Sequence, residues 1–399
     1  MKIGIIGGGP AGMFAAIEAS KEHQNITLFD NNPTLGRKLA VTGAGRCNLT
    51  NTNVAPEVYS SVNGFAFSSI IQQYNYEFLC KIFEALGIYS YHTDDGWVYP
   101  ISNSAKNISN LLENHVKNLG VNIQPNTLVE KIVKDTDTFT LTTHSDEEHF
   151  FDYVIITTGG KAYPQLSANN QILNSIEKLG HNIIASNPAL APIMTTKKET
   201  KSLSGVRQDS TIRIYYKNRL LSAEFGNIIF TDWGINGPGV MNLSHLVHQY
   251  PGDLIVEIDY KNLLPDNFIV NTIKNQHQFN FLSSPFLSIL NKKIIEAIFQ
   301  KHNLSINAPF SENVFHKILN DLKFSENIRG TRGFEFSQIS TGGIDSSQIN
   351  NKTLESTVCS GLYFAGEILD VMGPCGGFNL HWAFVSGLLA GKLLGNPNQ

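Results

Sequence analysis

The chain has 399 residues, of which 42% are hydrophobic, 10% aromatic and 16% charged, with a net charge of −4. That length suits two or three domains of about 100–200 residues and a sizeable core. The apolar content excludes disorder, four cysteines exclude a disulfide scaffold, and no apolar run approaches the ~18 residues of a membrane span. The acidic balance disfavours a nucleic-acid partner, though it leaves a local basic patch open.

In chain order, Met1-Lys2 leads at once into Ile3-Gly4-Ile5-Ile6, too short for the ~7–15-residue apolar region of a secretory signal. Cys47, Cys80, Cys359 and Cys375 have no CxxC spacing, so the reading is a cytoplasmic protein with free thiols. The closest histidine pair, His245 and His248, has no acidic or thiol cluster beside it, and no metal site is expected. Residues 2–6 read as a buried strand, 7–12 as a glycine turn, 13–23 as a helix and 25–30 as a second strand: a βαβ unit. Ile108, Leu111, Leu112, Val116 and Leu119 mark a helix over 104–119, closed by Gly120. Strands are expected at 138–143 and 150–157, and a helix from Ile172 to Leu179.

The texture changes near Pro188. Short β-like runs at 211–215, 227–230 and 254–258 give way to a helical stretch over 265–325, then to strand-and-glycine character after Gly330. A strand at 362–366 and a small-residue helix over 380–394 end the chain. The expected organisation is α/β: a discontinuous nucleotide-binding domain, 1–189 and 331–399, with a β-rich insert over 190–260 returning near 326–330, and a small helical domain over 261–325.

Gly7, Gly9 and Gly12 satisfy GxGxxG between a strand and a helix, the context that gives this motif meaning. Gly7 permits the tight turn, Gly9 lets backbone approach a pyrophosphate, and Gly12 lets helix and strand pack closely. Pro10 stands near the first helical position, where its missing N–H costs nothing. Free amides at the helix start favour phosphate. Asp30 ends the second strand, near the ~20-residue spacing at which an acid accepts from the adenosine ribose. Asn31 and Asn32 follow in place of an Arg, which disfavours a 2′-phosphate. Such a loop serves FAD or NAD. Two further strands ending in glycine favour FAD: Tyr153 through Thr158, Gly159 and Gly160, and Gly361 through Gly366 and Glu367.

With these residues, and with Gly36-Arg37-Lys38-Leu39, Thr42-Gly43-Ala44-Gly45-Arg46-Cys47-Asn48, Val98-Tyr99-Pro100 and Gly376-Gly377-Phe378-Asn379-Leu380, the chain resembles the BaiN/YhiN-type (aminoacetone-oxidase-like) FAD-dependent oxidoreductases over nearly its whole length. The resemblance implies a glutathione-reductase-like FAD-binding Rossmann domain with a β-barrel-like insert and a small helical domain. It implies FAD held by Gly7, Gly9, Pro10, Ala11 and Gly12 at the pyrophosphate, and by Asp30 with Asn31 at the ribose. Lys38 would lie near the adenosine half, and Val129 would offer backbone to the adenine. Thr158, Gly159, Gly366 and Glu367 would meet the central part of the cofactor. Arg46, Cys47 and Asn48 would approach the flavin, and Asn379 and Leu380 would open a helix whose amides face its pyrimidine.

The implied function is two-electron redox of a small organic substrate, with NAD(P)H as a transient reductant. Arg46, Tyr99 and His381 are the catalytic candidates; Cys47 reads more simply as a small buried thiol. Three rivals stay open: a flavin-free NAD-binding dehydrogenase, an FAD-dependent RNA-modifying protein, and a non-catalytic, sensing flavoprotein. The chain departs from the family at 167–173, where a glycine-rich loop is replaced, at Asp232, where the family has His, and at Met372, Cys375 and His381. Those departures suggest an altered substrate pocket.

Overall fold

A computed structural model describes residues 1–166 and 171–393. The chain divides into two compact units, Met1–Asn187 with Ile339–Gln399, and Pro188–Gln338.

The first unit is built on a five-stranded sheet in the order Leu362–Phe364, Tyr153–Ile156, Lys2–Ile6, Asn25–Phe29, Asn122–Gln124. All its pairings are parallel, with Ile5 level with Ile155 on one side and Leu28 on the other. Parallel strands are covered on both faces, so they read as unbroken apolar runs. One cover is the antiparallel meander Val129–Asp135, Thr138–Thr143, Glu148–Phe151. It comes so close that a Cβ on Gly4 would lie 2.9 Å from the Phe151 ring.

The helix Pro10–Ala19 is apolar nearly all round because it is itself enclosed. The C-terminal helix Phe378–Gly391 packs against it. Cβ atoms on Gly387 and Gly391 would fall 2.2 Å from Ala11 O and 2.5 Å from Ala15 O, so these glycines set the approach. The helix expected over 104–119 is Ala105–Asn118, with Ser104 as its cap accepting from Asn107 N at 3.3 Å. A small sheet, Thr50–Asn51, Trp97–Pro100 and Ser90–His92, completes what the site needs.

The second unit is a closed barrel. Its strands run Ile193–Thr195, Gly234–Asn236, Arg219–Phe230, Arg207–Tyr216, Leu254–Asp259, Lys323–Thr331 and back to the first. The long hairpin Arg207–Tyr216 with Arg219–Phe230 exceeds the short runs expected at 211–215 and 227–230. Its turn is Lys217-Asn218, both at positive φ (48° and 65°), without the Asn-Gly or Asp-Gly pair that signals such a turn. The helices Phe268–Lys274, Lys292–Lys301 and Glu312–Asn320 share one hydrophobic core with the barrel, in which Phe268, Ile295 and Phe315 join Ile212 and Val256. The segment 261–325, read from sequence as a separate helical domain, thus packs as part of the barrel unit.

Candidate functional site

The site of the first unit starts at the strand–helix turn. Gly7 N donates to Phe29 O at 2.8 Å and Gly7 has φ +105°, where a side chain would meet Thr157 O at 2.5 Å. A Cβ on Gly12 would lie 1.8 Å from Gly7 O, so only glycine closes this contact. Nothing lies within 4 Å of a Cβ built on Gly9, which leaves the backbone there open to a ligand. Pro10 and Ala11 begin the helix directly behind it.

Asp30 Oδ2 accepts from Gly8 N at 2.6 Å, and Oδ1 accepts from Asn32 N and Nδ2, both at 2.8 Å. Burial pushes the Asp30 carboxyl above its ordinary range, against those hydrogen bonds and the nearby Arg37. Asn31 is exposed and its Oδ1 accepts from Asn32 Nδ2 at 3.0 Å. The segment after the Asn122–Gln124 strand is tied back, Thr127 N to Asp30 O at 2.8 Å and Asn126 N to Asn32 O at 3.0 Å. That tie brings Val129 beside Asp30. Gly7, Asp30, Asn31, Val129, Thr158 and Ile172 line one open cleft. An acid, an open backbone and an apolar wall in one cleft suit an adenosine.

Of the family departure at 167–173, Ile172 lines this cleft, and residues 167–170 lie outside the described part. Asp232 belongs to the barrel unit, where its Oδ1 accepts from Ser204 Oγ at 2.6 Å.

The centre of the site is made by residues distant in sequence. A Cβ on Gly366 (φ +79°) would lie 3.0 Å from Ala11 Cβ, at the start of the first helix. Glu367 Oε2 pairs with Lys38 Nζ at 2.7 Å, and its Oε1 accepts from Ser340 N at 2.9 Å. Gly160 passes so near that a Cβ would fall 2.1 Å from Ser340 Oγ and 2.5 Å from Glu367 Oε1. Gly159, at φ +76°, turns the chain just before. Lys38, expected at the adenosine half, is paired with Glu367, which was expected at the central part of the cofactor. Sequence reading missed Ser340; its signal was the Ser340-Thr341-Gly342-Gly343 run after the barrel unit.

At the far end, Gly377 caps the C-terminal helix in a left-handed conformation (φ +96°). A Cβ there would lie 2.3 Å from Thr50 O and 2.8 Å from Asn48 Oδ1. The free amides of 377–380, including Asn379 and Leu380, form a positive helix end. The Asn379 side chain is already engaged: Oδ1 accepts from Gly373 N and Nδ2 donates to Gly373 O, both at 2.8 Å. It shapes the 373–375 loop, and only its backbone remains for a cofactor. Cys47 is fully buried, and burial pushes its thiol up to about 12, so it is no thiolate at neutral pH.

The catalytic candidates separate clearly. His381 is fully buried; its Nε2 donates to Tyr74 O at 2.9 Å, so its Nδ1 accepts from Thr50 Oγ1 at 2.8 Å. Burial lowers its pKa to about 4. This ring is a neutral packing group and cannot pass a proton to a substrate. Tyr99 is buried under Arg46, whose Nη2 donates to the phenol at 2.9 Å and whose guanidinium lies 4.1 Å from the ring centre. Burial raises the Tyr99 pKa, with Arg46 opposing. Arg46 alone of the three is exposed. Among the described residues no cluster of His, Cys, Asp or Glu could hold a metal, and no helix is long and apolar enough to cross a membrane.

A glycine turn between strand and helix, an acid at the end of the second strand and a helix amide end at the far side fit FAD, and together with a barrel insert they define a Rossmann-type flavoprotein oxidoreductase. The chain belongs to the family described as HI0933-like protein Rossmann domain, which matches residues 1–393. It is 31% identical to the ribosomal RNA dihydrouridine synthase of Haemophilus influenzae, over 96% of this chain and 95% of that one. It is 29% identical to the 3-dehydro-bile acid delta(4,6)-reductase of Clostridium scindens, over 98% of each chain. Among solved structures, the 3-ketosteroid-delta4-(5alpha)-dehydrogenase of Rhodococcus jostii covers 99% of this chain and 96% of its own, at 14% identity and a TM-score of 0.54, a likeness of fold. This protein is an FAD-dependent oxidoreductase.

Proposed function

We propose that this protein reduces a carbon–carbon double bond conjugated to a carbonyl, with a uracil ring in RNA as the substrate and NAD(P)H as the electron source. The observation that carries the reading is the near full-length likeness to a ribosomal RNA dihydrouridine synthase. The bile-acid relative supports the same chemistry on another skeleton, since its name also describes reduction of an unsaturated oxo compound.

In the balanced reaction a hydride from NAD(P)H reaches the carbon β to the carbonyl, a proton from solvent reaches the α carbon, and NAD(P)⁺ leaves. Bound FAD supplies the relay of that hydride. Gly7–Gly12, Asp30 and the Lys38–Glu367 pair would anchor the cofactor, and the amide end of 377–380 would stabilise negative charge at its far end. Arg46, exposed and braced on Tyr99, is suited to holding an anionic or carbonyl oxygen at the site mouth. The chain has one dinucleotide turn, which supports a nicotinamide that visits and leaves.

The test is anaerobic. NADH or NADPH is expected to bleach the yellow protein, and ribosomal RNA from cells lacking this gene is expected to restore the colour while gaining two hydrogens by mass spectrometry. Restoration by a small unsaturated ketone alone, with RNA inert, favours the small-molecule reading. A protein that neither nicotinamide bleaches overturns the role of NAD(P)H.

A further inference from the structure

The chain's negative charge is not shared evenly. Residues 188–338 hold 16 Lys and Arg against 13 Asp and Glu, a net of +3, which leaves −7 (−4 minus +3) for the FAD unit. The barrel unit also carries a group that its fold does not explain. The Arg332 guanidinium lies 3.6 Å from the centre of the Phe336 ring and 4.7 Å from that of Trp233, and Phe336 is 40% exposed. A cation held between two aromatic rings, one of them open to solvent, offers a flat, positively charged platform on which a further ring can stack.

Its surroundings are basic and rigid. Lys197 Nζ donates to Asp232 O, beside Trp233. Lys198 and Arg329 are exposed. The loop that carries the lysines is fixed from beneath by Glu326, which is buried and accepts from Thr196 Oγ1 at 2.6 Å, Glu199 N at 2.8 Å, Lys198 N at 2.9 Å, and Thr200 N and Oγ1 at 3.0 Å. Of the nearby acids, Glu199 lies 3.6 Å from Lys301 and accepts from Ser325 N at 3.1 Å, whereas Asp232 is exposed and accepts only from the neutral Ser204 Oγ, so it keeps its charge on this face. Glu335 is exposed as well, so two carboxylates oppose the four basic side chains.

We propose that the barrel face formed by Lys197, Lys198, Trp233, Arg329, Arg332 and Phe336 binds single-stranded RNA, with an unpaired base stacking on the Phe336–Arg332–Trp233 group and the basic side chains taking the phosphates. Every base has a π-face, so stacking platforms with cations suit single strands, while a duplex keeps its bases inside. The inference rests on the RNA reading of the function and names the surface that serves it.

The test measures fluorescence anisotropy of a short labelled uridine-containing single-stranded RNA with the FAD-loaded full-length protein, over a series of salt concentrations. Wild type is expected to bind in a salt-dependent way and to prefer the single strand over a duplex. R332Q and F336A are expected to weaken binding about tenfold each, R332Q with a salt slope lower by about one. An unchanged far-ultraviolet circular dichroism spectrum and an unchanged chemical unfolding midpoint of the barrel verify that each variant is folded. F336Y, which keeps a ring, is expected to restore most of the F336A loss. If wild type binds but R332Q and F336A bind equally well, or if duplex and single strand compete equally, this face is not the RNA surface and the RNA reading survives. If wild type shows no salt-dependent binding, the RNA reading itself fails.

Discussion

The two units are held in order by opposite means. The FAD unit works with backbone: glycines that no side chain can replace, helix amide ends, and a few acids that hold loops in place. The barrel unit works with side chains assembled from separated segments, such as Glu326 beneath the 196–200 loop and Arg332 between Trp233 and Phe336. Backbone recognition leaves a local trace in sequence, because each contact demands glycine at a given spacing. Side-chain recognition leaves none, because any charged residue can stand at those positions until the fold gathers them.

The sharpest way to break the backbone half is Gly12→Val. With a Cβ forced to 1.8 Å from Gly7 O, the helix cannot close on the turn, and purified protein is expected to keep less than about a tenth of its flavin absorbance. Retention of full FAD would show that the turn tolerates a shift and that the cofactor depends on side chains after all.

The matching blow to the barrel is Glu326→Ala, which strands five buried or half-buried donors. The expected loss is about 4 kcal/mol in chemical unfolding of the barrel, with FAD content preserved. Burial raises the Glu326 pKa, but the Thr196, Lys198, Glu199 and Thr200 donors outweigh it and the net shift is downward. Its stabilisation is therefore full above the ordinary glutamate pKa and disappears as pH falls through the lower folded value. Glu326→Gln should flatten that acid limb.

His381 gives a smaller, pH-gated effect. Its folded pKa of about 4 is below the ordinary 6.5, so its contribution is complete above pH 6.5 and is lost as pH falls toward 4, on the order of 3 kcal/mol over that span. His381→Gln should remove that slope from thermal unfolding while leaving the rate of nicotinamide-driven bleaching unchanged. A change in that rate with pH that the variant abolishes would return His381 to the chemistry. The smallest effect is expected from Cys47→Ala. A thiol pushed up to about 12 contributes no thiolate, and bleaching by NAD(P)H should stay within about twofold of wild type.

How much of the site was legible follows the same division. Gly7, Gly9, Gly12 and Asp30 stand in the structure where strand–turn–helix spacing puts them, because all four act within one βαβ unit. The pairing of Lys38 with Glu367 was not legible because the two are 329 residues apart. Asn379 reads as a cofactor contact from its place at a helix start, yet its amide is consumed by Gly373, a bond that depends on how the 373–375 loop folds back. His381 resembles a proton donor by residue type alone; only burial against Tyr74 and Thr50 removes that role.

The sequence by itself determined the order of elements, the cofactor-binding turn and the change of texture at the barrel, since each follows from local rules: period, glycine placement, an acid at a strand end. Tertiary structure decided which candidates face a ligand and which are consumed by packing, and it gathered the cationic aromatic face of the barrel. The reason is physical. Backbone conformation is encoded in neighbouring residues, whereas desolvation and charge pairing depend on whatever the fold brings alongside.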